Sequence, residues 1–224
     1  VIPLRDDVRS ERRPYVTWAM IAACVGVFAY QALTEYQDPK AGDFLVRTFG
    51  MIPAGIVSGQ HLWTLLTAMF LHGGLFHLLG NMLYLWIFGD NVEDAFGHLW
   101  YFGVYIFAGV AGSLLQIMIM PHSTIPTIGA SGAISGIMGA YFVLFPRARV
   151  LTLIPIFFFI RLIYLPAPLL LGFWILLQIL YGCGSAPGTG GGVAYFAHIG
   201  GFVAGVILGL AIRRRVRRPW YEIS

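Results

Sequence analysis

The sequence predicts an all-α polytopic membrane protein built from six spanning helices. Three observations lead there. Hydrophobic residues make up 58% of the 224-residue chain and charged residues 11%, with a mean hydropathy of +0.77. Soluble domains carry roughly 25% charged residues. Apolar runs of about twenty residues recur, each long enough to cross a hydrocarbon core of about 30 Å. The basic residues gather at the ends of those runs, so the net charge of +4 is a topology signal. No nucleic-acid partner is expected, and the lipid bilayer is the surrounding that this composition demands.

The first fourteen residues form a polar arm holding Arg5, Arg9, Arg12 and Arg13, with no apolar run of signal-peptide type. Tyr15 and Trp18 mark an interface, and the first helix follows over about Tyr15 to Leu33. A long connection runs from about Glu35 to Phe70. It is half apolar, which places it in the membrane interface rather than in water. The second helix covers about Leu71 to Gly89. Asp90 and Glu93 have the spacing of a capping box, which predicts a new helix or turn starting there. The third helix spans about Trp100 to Met120. The fourth covers about Thr127 to Phe145 and is stopped by Pro146. Val150 to Pro168 is apolar but interrupted by Pro155, Arg161 and Pro166, and reads as a surface or re-entrant loop. The fifth helix, about Leu169 to Tyr181, is short. Gly182 to Gly192 reads as a flexible loop, and the sixth helix runs from about Val193 to Ile212. The membrane domain is thus 15–212, followed by a basic tail, 213–224. Cys24 and Cys183 fall in different settings, so no disulfide between them is expected, and no metal-ligand spacing of Cys or His occurs.

Six spans put both termini on one side. Twelve of the fourteen basic residues then fall on that side, and only Lys40 and Arg47 on the other. The bias places both termini in the cytoplasm and the start of the fourth helix near the external face.

The spans contain essentially no Asp, Glu, Lys or Arg, which argues against a proton pump or ion-coupled carrier. Their conspicuous polar residues are His77, Asn81, Ser113, Gln116, Ser131, Ser135, Gln178 and His198. Ser131 lies in Gly129-Ala130-Ser131-Gly132, at the first turn of the fourth helix. Backbone N–H groups there lack intrahelical partners and, with the helix dipole, can hold a developing oxyanion. His198 lies at a similar depth in the sixth helix. Below it, Gly201, Gly205 and Gly209 repeat every four residues, and Gly132 and Gly136 share that spacing. Such small-residue faces pack closely. If these two pack together, Ser131 meets His198 and a nucleophile meets a general base. No acid lies at that depth, so the pair is a dyad. His77 and Asn81, four apart, share a helix face and can add donors to an oxyanion site. Serine as a packing residue and the histidines and asparagine as interhelical glue are the alternatives for each residue taken alone.

These pieces resemble the rhomboid intramembrane serine proteases, most closely their compact six-helix prokaryotic form. The matching segments are His72-x4-His77-x3-Asn81, Gly129-Ala130-Ser131-Gly132, and Ala197-His198-Ile199-Gly200-Gly201 with Gly205. The resemblance implies a rhomboid-like bundle that cleaves single-spanning transmembrane protein substrates near the outer face. It makes Ser131 the nucleophile, His198 the base, and His77 and Asn81 oxyanion-hole residues together with Ser131. It makes the first connection a membrane-embedded loop, and the fifth helix with Gly182 to Gly192 a mobile gate and cap. It implies no cofactor and no metal, and a prokaryotic inner or cell membrane as the location. Two departures stand out. Ser135 replaces an aromatic that usually braces the histidine, and Trp63 is followed by Thr64 rather than by arginine. A non-catalytic client-binding relative and a small-solute channel are the competing functions. Retention of Ser131 with His198 speaks against the first, and the gathering of polar residues at one end speaks against the second.

Overall fold

The computed structural model describes residues 2–156, 159–184 and 192–213. It opens with a strand, β1 (Ile2–Asp6), followed by α1 (Tyr15–Gln37). The long connection folds into α2 (Pro39–Phe49), α3 (Pro53–Val57), α4 (Thr64–Thr67) and a 3-10 turn at Ala68–Phe70. Then come α5 (Leu75–Phe96), α6 (His98–Ile119) and α7 (Ser131–Leu144). A hairpin of β2 (Arg149–Ile156) and β3 (Phe159–Pro166) leads to α8 (Ala167–Gly184) and α9 (Tyr195–Ile212). Apolar runs take helical form because a helix pairs its own backbone groups where no water can.

Among the described residues, α1, α6, α8 and α9 are long and apolar enough to cross a membrane. α5 joins them when taken with Thr64–Phe70, from which it bends by 95°. At 14 residues α7 is short. It reaches about 21 Å at the usual helical rise, less than a hydrocarbon core of about 30 Å. By length and composition alone, four or five of these helices are full spans, and α7 is an apolar helix shorter than the hydrocarbon core.

α7 is the buried centre of the bundle, with α9, α6 and α5 around it. Its tightest seam is with α9. A Cβ on Gly201 would stand 1.9 Å from the Gly132 carbonyl oxygen, and one on Gly205 1.8 Å from that of Gly136. Gly136 also abuts Ala108 of α6, where a Cβ would overlap the alanine methyl. Gly132 is less demanding: its added Cβ would meet the Ala197 carbonyl oxygen at 3.5 Å, an ordinary contact.

Several expectations need correction. The chain is not purely helical, because 149–156 and 159–166 are strands and not loop. β2 pairs antiparallel with β3 along its whole length and with β1 over Val150–Leu153. Branched residues alternate along β2, and its inward members Val150 and Thr152 are fully buried. Pro155, which cannot donate to a ladder, lies beyond the stretch where β1 makes β2 a central strand. No helix starts at Asp90, since α5 runs on through it to Phe96. Glu93 is buried instead, and its carboxylate accepts from the Val16 N–H (2.9 Å), the Thr17 N–H (2.8 Å) and the Thr17 hydroxyl (2.7 Å). α1 has no side-chain cap of its own, so an acid from another helix satisfies its first turn. α8 begins two residues earlier than Leu169 and ends beyond Tyr181, so it is not a truncated helix. Residues 185–191 of the glycine-rich loop, and the tail beyond Arg213, lie outside the described residues.

Candidate active site

Ser131 is the first residue of α7, four residues later than the expected helix start. The lead-in is held by the first connection. Met51 and Thr127 exchange two backbone hydrogen bonds (3.1 and 2.8 Å), and the Gly129 N–H donates to the Ala68 carbonyl at 2.9 Å. That last bond removes Gly129 from the free donors expected at this helix end. The Ser131 N–H, at the first helical position, has no intrahelical acceptor. Gly129 turns the chain with φ +126°, in the region that disfavours side chains. Space forbids a side chain there as well: a Cβ would be 2.8 Å from His77 Nε2 and 3.7 Å from Ser131 Oγ. His77 Nε2 and Ser131 Oγ therefore face the same small volume. The Thr64 hydroxyl donates to the His61 carbonyl at 2.7 Å, a bond local to the connection.

Across the α7–α9 seam, His198 Nε2 lies 2.7 Å from Ser131 Oγ. The other ring nitrogen, Nδ1, lies 2.8 Å from Gln178 Oε1 on α8. Gln178 Nε2 donates to the Trp174 carbonyl at 3.4 Å, and a carbonyl only accepts. The amide is thereby oriented with its oxygen toward the imidazole. Nδ1 then carries the proton, and Nε2 is left to accept from the serine hydroxyl. Trp174 lies alongside the ring, with centroids 5.7 Å apart and planes 34° from parallel. The aromatic wanting at Ser135 is thus supplied by α8. The Ser135 hydroxyl donates to the Ser131 carbonyl at 2.6 Å, one turn back, and does not reach the histidine.

His77 Nδ1 accepts the Gly73 N–H at 3.2 Å, so the proton of a neutral ring sits on Nε2, facing the Gly129–Ser131 turn. Asn81 is buried and donates from Nδ2 to the His77 carbonyl at 3.0 Å, which uses one of its two amide hydrogens. His77, Asn81, Ser131, Trp174 and His198 all line one cavity of about 990 Å³. His72 lies beside His77, with ring centroids 5.3 Å apart. It is fully buried, and Gln31 of α1 clamps its backbone through bonds of 3.0 and 3.3 Å. Sequence reasoning noticed Gln178 as a polar residue in a span but gave it no partner, and it missed Trp174. The one available signal was their spacing of four, which puts both on one face of α8. Among the described residues, no group of His, Cys, Asp or Glu side chains is arranged to hold a metal ion. Cys24 and Cys183 are both free.

A family model described as the Rhomboid domain matches residues 59–215. Similar curated proteins include RHOMBOID-like protein 6, mitochondrial, of Arabidopsis thaliana, 34% identical over 203 residues, which cover 90% of this chain and 61% of that protein. Rhomboid protein 1, mitochondrial, of Saccharomyces cerevisiae is 28% identical over 209 residues, covering 91% of this chain and 55% of that protein. Rhomboid protease GluP of Bacillus subtilis is 33% identical over 128 residues, covering 57% and 24% respectively. The chain spans 61%, 46% and 55% of the first three plant and yeast relatives that it matches. These relatives come from a plant, a yeast and a bacterium, and two are named mitochondrial, so they do not support the prokaryotic membrane expected from the sequence.

Proposed function

The chain belongs to the rhomboid family, and on that footing we propose that it is an intramembrane serine endopeptidase acting on single-spanning membrane proteins near the outer face of the bilayer. The observation that carries this reading is the 2.7 Å approach of Ser131 Oγ to His198 Nε2 across the α7–α9 seam. Ser131 gives its proton to Nε2 as Oγ attacks a substrate carbonyl carbon. The oxyanion that forms is met by the Ser131 N–H, the His77 Nε2–H and the Asn81 amide. The imidazolium then returns the proton to the leaving amine. Water attacks the acyl-enzyme, again with His198 as base, and Ser131 recovers its proton.

The placement follows from charge and length. Arg147 and Arg149 mark the inner end of α7, so the shortfall of that helix is at Ser131. The nucleophile then lies some way below the outer surface, about 21 Å from the inner end of α7. The six helices α1 and α5–α9 each cross once, with both termini cytoplasmic. The first connection, with Phe44, Trp63 and Leu66 exposed, rests in the outer interface. A substrate helix must unwind locally to present its carbonyl, which favours helix-breaking or small residues near the cut.

The test is cleavage of a model transmembrane substrate in proteoliposomes. Ser131→Ala and His198→Ala should each reduce the rate at least ~10³-fold with the fold retained, as removal of a nucleophile or its base does elsewhere. Undiminished cleavage by the serine variant would sink the reading.

A further inference from the structure

A dyad histidine in a bilayer has a problem that a soluble enzyme meets with a buried acid. Its ring must be held in one tautomer and one orientation, yet a carboxylate at that depth is costly. Among the described residues, the group that meets Nδ1 of His198 is an amide, that of Gln178. Both side chains are 8% exposed, so water has little access to replace the bond. From this geometry we propose that Gln178 is the positioning residue of the site: its carbonyl oxygen accepts the Nδ1–H of His198 and so keeps Nε2 free to take the Ser131 proton. The inference rests on the protease reading above.

Three features support it. The amide is itself oriented, because its nitrogen is engaged with the Trp174 carbonyl one turn away. Trp174 closes the other freedom of the ring by lying along its face. The alternative tautomer, protonated on Nε2, would offer Ser131 a donor instead of an acceptor and would face the Gln178 oxygen with a bare nitrogen. An amide oxygen thus selects the productive tautomer without bringing a charge into the membrane. Gln178 touches neither substrate nor the reacting oxygen, so its effect runs entirely through His198.

The experiment compares the wild-type chain with Gln178→Leu, Gln178→Met and Gln178→Glu in proteoliposomes. Leucine and methionine keep the bulk and lose the carbonyl. Glutamate keeps an acceptor oxygen at the same reach. The readouts are the rate of covalent labelling by a fluorophosphonate, kcat and KM for the transmembrane substrate, and the thermal midpoint. Leucine and methionine should slow labelling and kcat by about 10- to 100-fold with KM within twofold, the range expected when an orienting partner is lost. Glutamate should recover most of that loss. Labelling at the wild-type rate in a folded leucine or methionine variant would overturn the proposal, as would a glutamate variant as slow as they are. Ser131→Ala in the same assay keeps the two claims apart. Cleavage surviving there removes the protease reading, whereas a dead serine variant beside a fully active Gln178→Leu removes only the role of Gln178.

Discussion

Replacing Gly205 by alanine is the sharpest mechanical test of how the site is assembled. The added Cβ would stand 1.8 Å from the carbonyl oxygen of Gly136, in the middle of the α7 backbone. A carbon needs about 3.3 Å from such an oxygen, so the helices must part by about 1.5 Å at that level. A rigid shift of that size carries Ser131 Oγ and His198 Nε2 from 2.7 Å to roughly 4 Å, beyond hydrogen-bond range. Misplacement by about 1 Å can cost about 10²-fold in rate. Gly205→Ala should therefore lower fluorophosphonate labelling of Ser131 about 100-fold and depress the thermal midpoint. Gly103→Ala on α6 is the control, since its Cβ would meet nothing within 4 Å. It should leave labelling unchanged and stabilise the helix by about 0.5–1 kcal/mol. Labelling of Gly205→Ala at the wild-type rate would refute the claim that this seam sets the serine–histidine distance.

Two predictions concern the end of the bundle away from Ser131. Burial pushes the Asp6 carboxyl up to about 7, against the lowering effect of the hydroxyl that Tyr141 of α7 donates to it, with Asp90 and Asp7 adding repulsion. Because the folded state prefers this acid protonated, its contribution to stability is full below the unfolded value of 3.8 and is lost as pH rises through about 7. Asp6→Asn should accordingly gain in thermal midpoint over wild type at pH 8 and match it at pH 4. The difference should be at most ~4 kcal/mol, and smaller because the carboxyl retains some water. An equal difference at both pH values would remove the linkage. Glu93→Ala leaves the Val16 and Thr17 N–H groups without their acceptor, while the Thr17 hydroxyl keeps Tyr101 at 3.0 Å. It should destabilise by about 3 kcal/mol and lower the midpoint by roughly 6–12 °C. Serine labelling of the molecules that remain folded should be unchanged.

How much of this was legible in the sequence depends on the range of each interaction. The α7–α9 seam was legible because glycines every four residues encode a close face directly, and two such faces in helices of similar depth suggest each other. The helix of α5 was legible but its end was not. Asp90 and Glu93 satisfy a local capping pattern, and nothing local announces that Glu93 turns to serve α1 instead. The sheet was hidden for a related reason. In a chain this apolar, alternation along β2 is masked, and one of its partners is β1, near the other end of the chain. The site was half legible. Ser131, His198, His77 and Asn81 sit in recognisable local patterns. Gln178 and Trp174 do not, because their meeting with His198 depends on how α8 docks, and α8 has no four-residue repeat of small residues to signal a docking face.

That division has a physical consequence for the site. The distance between Ser131 and His198 is set by backbone against backbone, Gly201 on Gly132 and Gly205 on Gly136, with no side chain able to yield. The His198 ring is flanked by side chains of a third helix, Gln178 and Trp174. Ser135 shows why the two duties are separated. Its hydroxyl is spent on the Ser131 carbonyl at 2.6 Å, which steadies the first turn of α7 where the next carbonyl and N–H must stay in register. The ring beside the imidazole comes instead from Trp174 of α8. Distance and orientation therefore rest on different helix pairs, α7 with α9 and α8 with α9. Any movement of α8 away from the bundle would release the imidazole from its tautomer while leaving the serine–histidine distance intact.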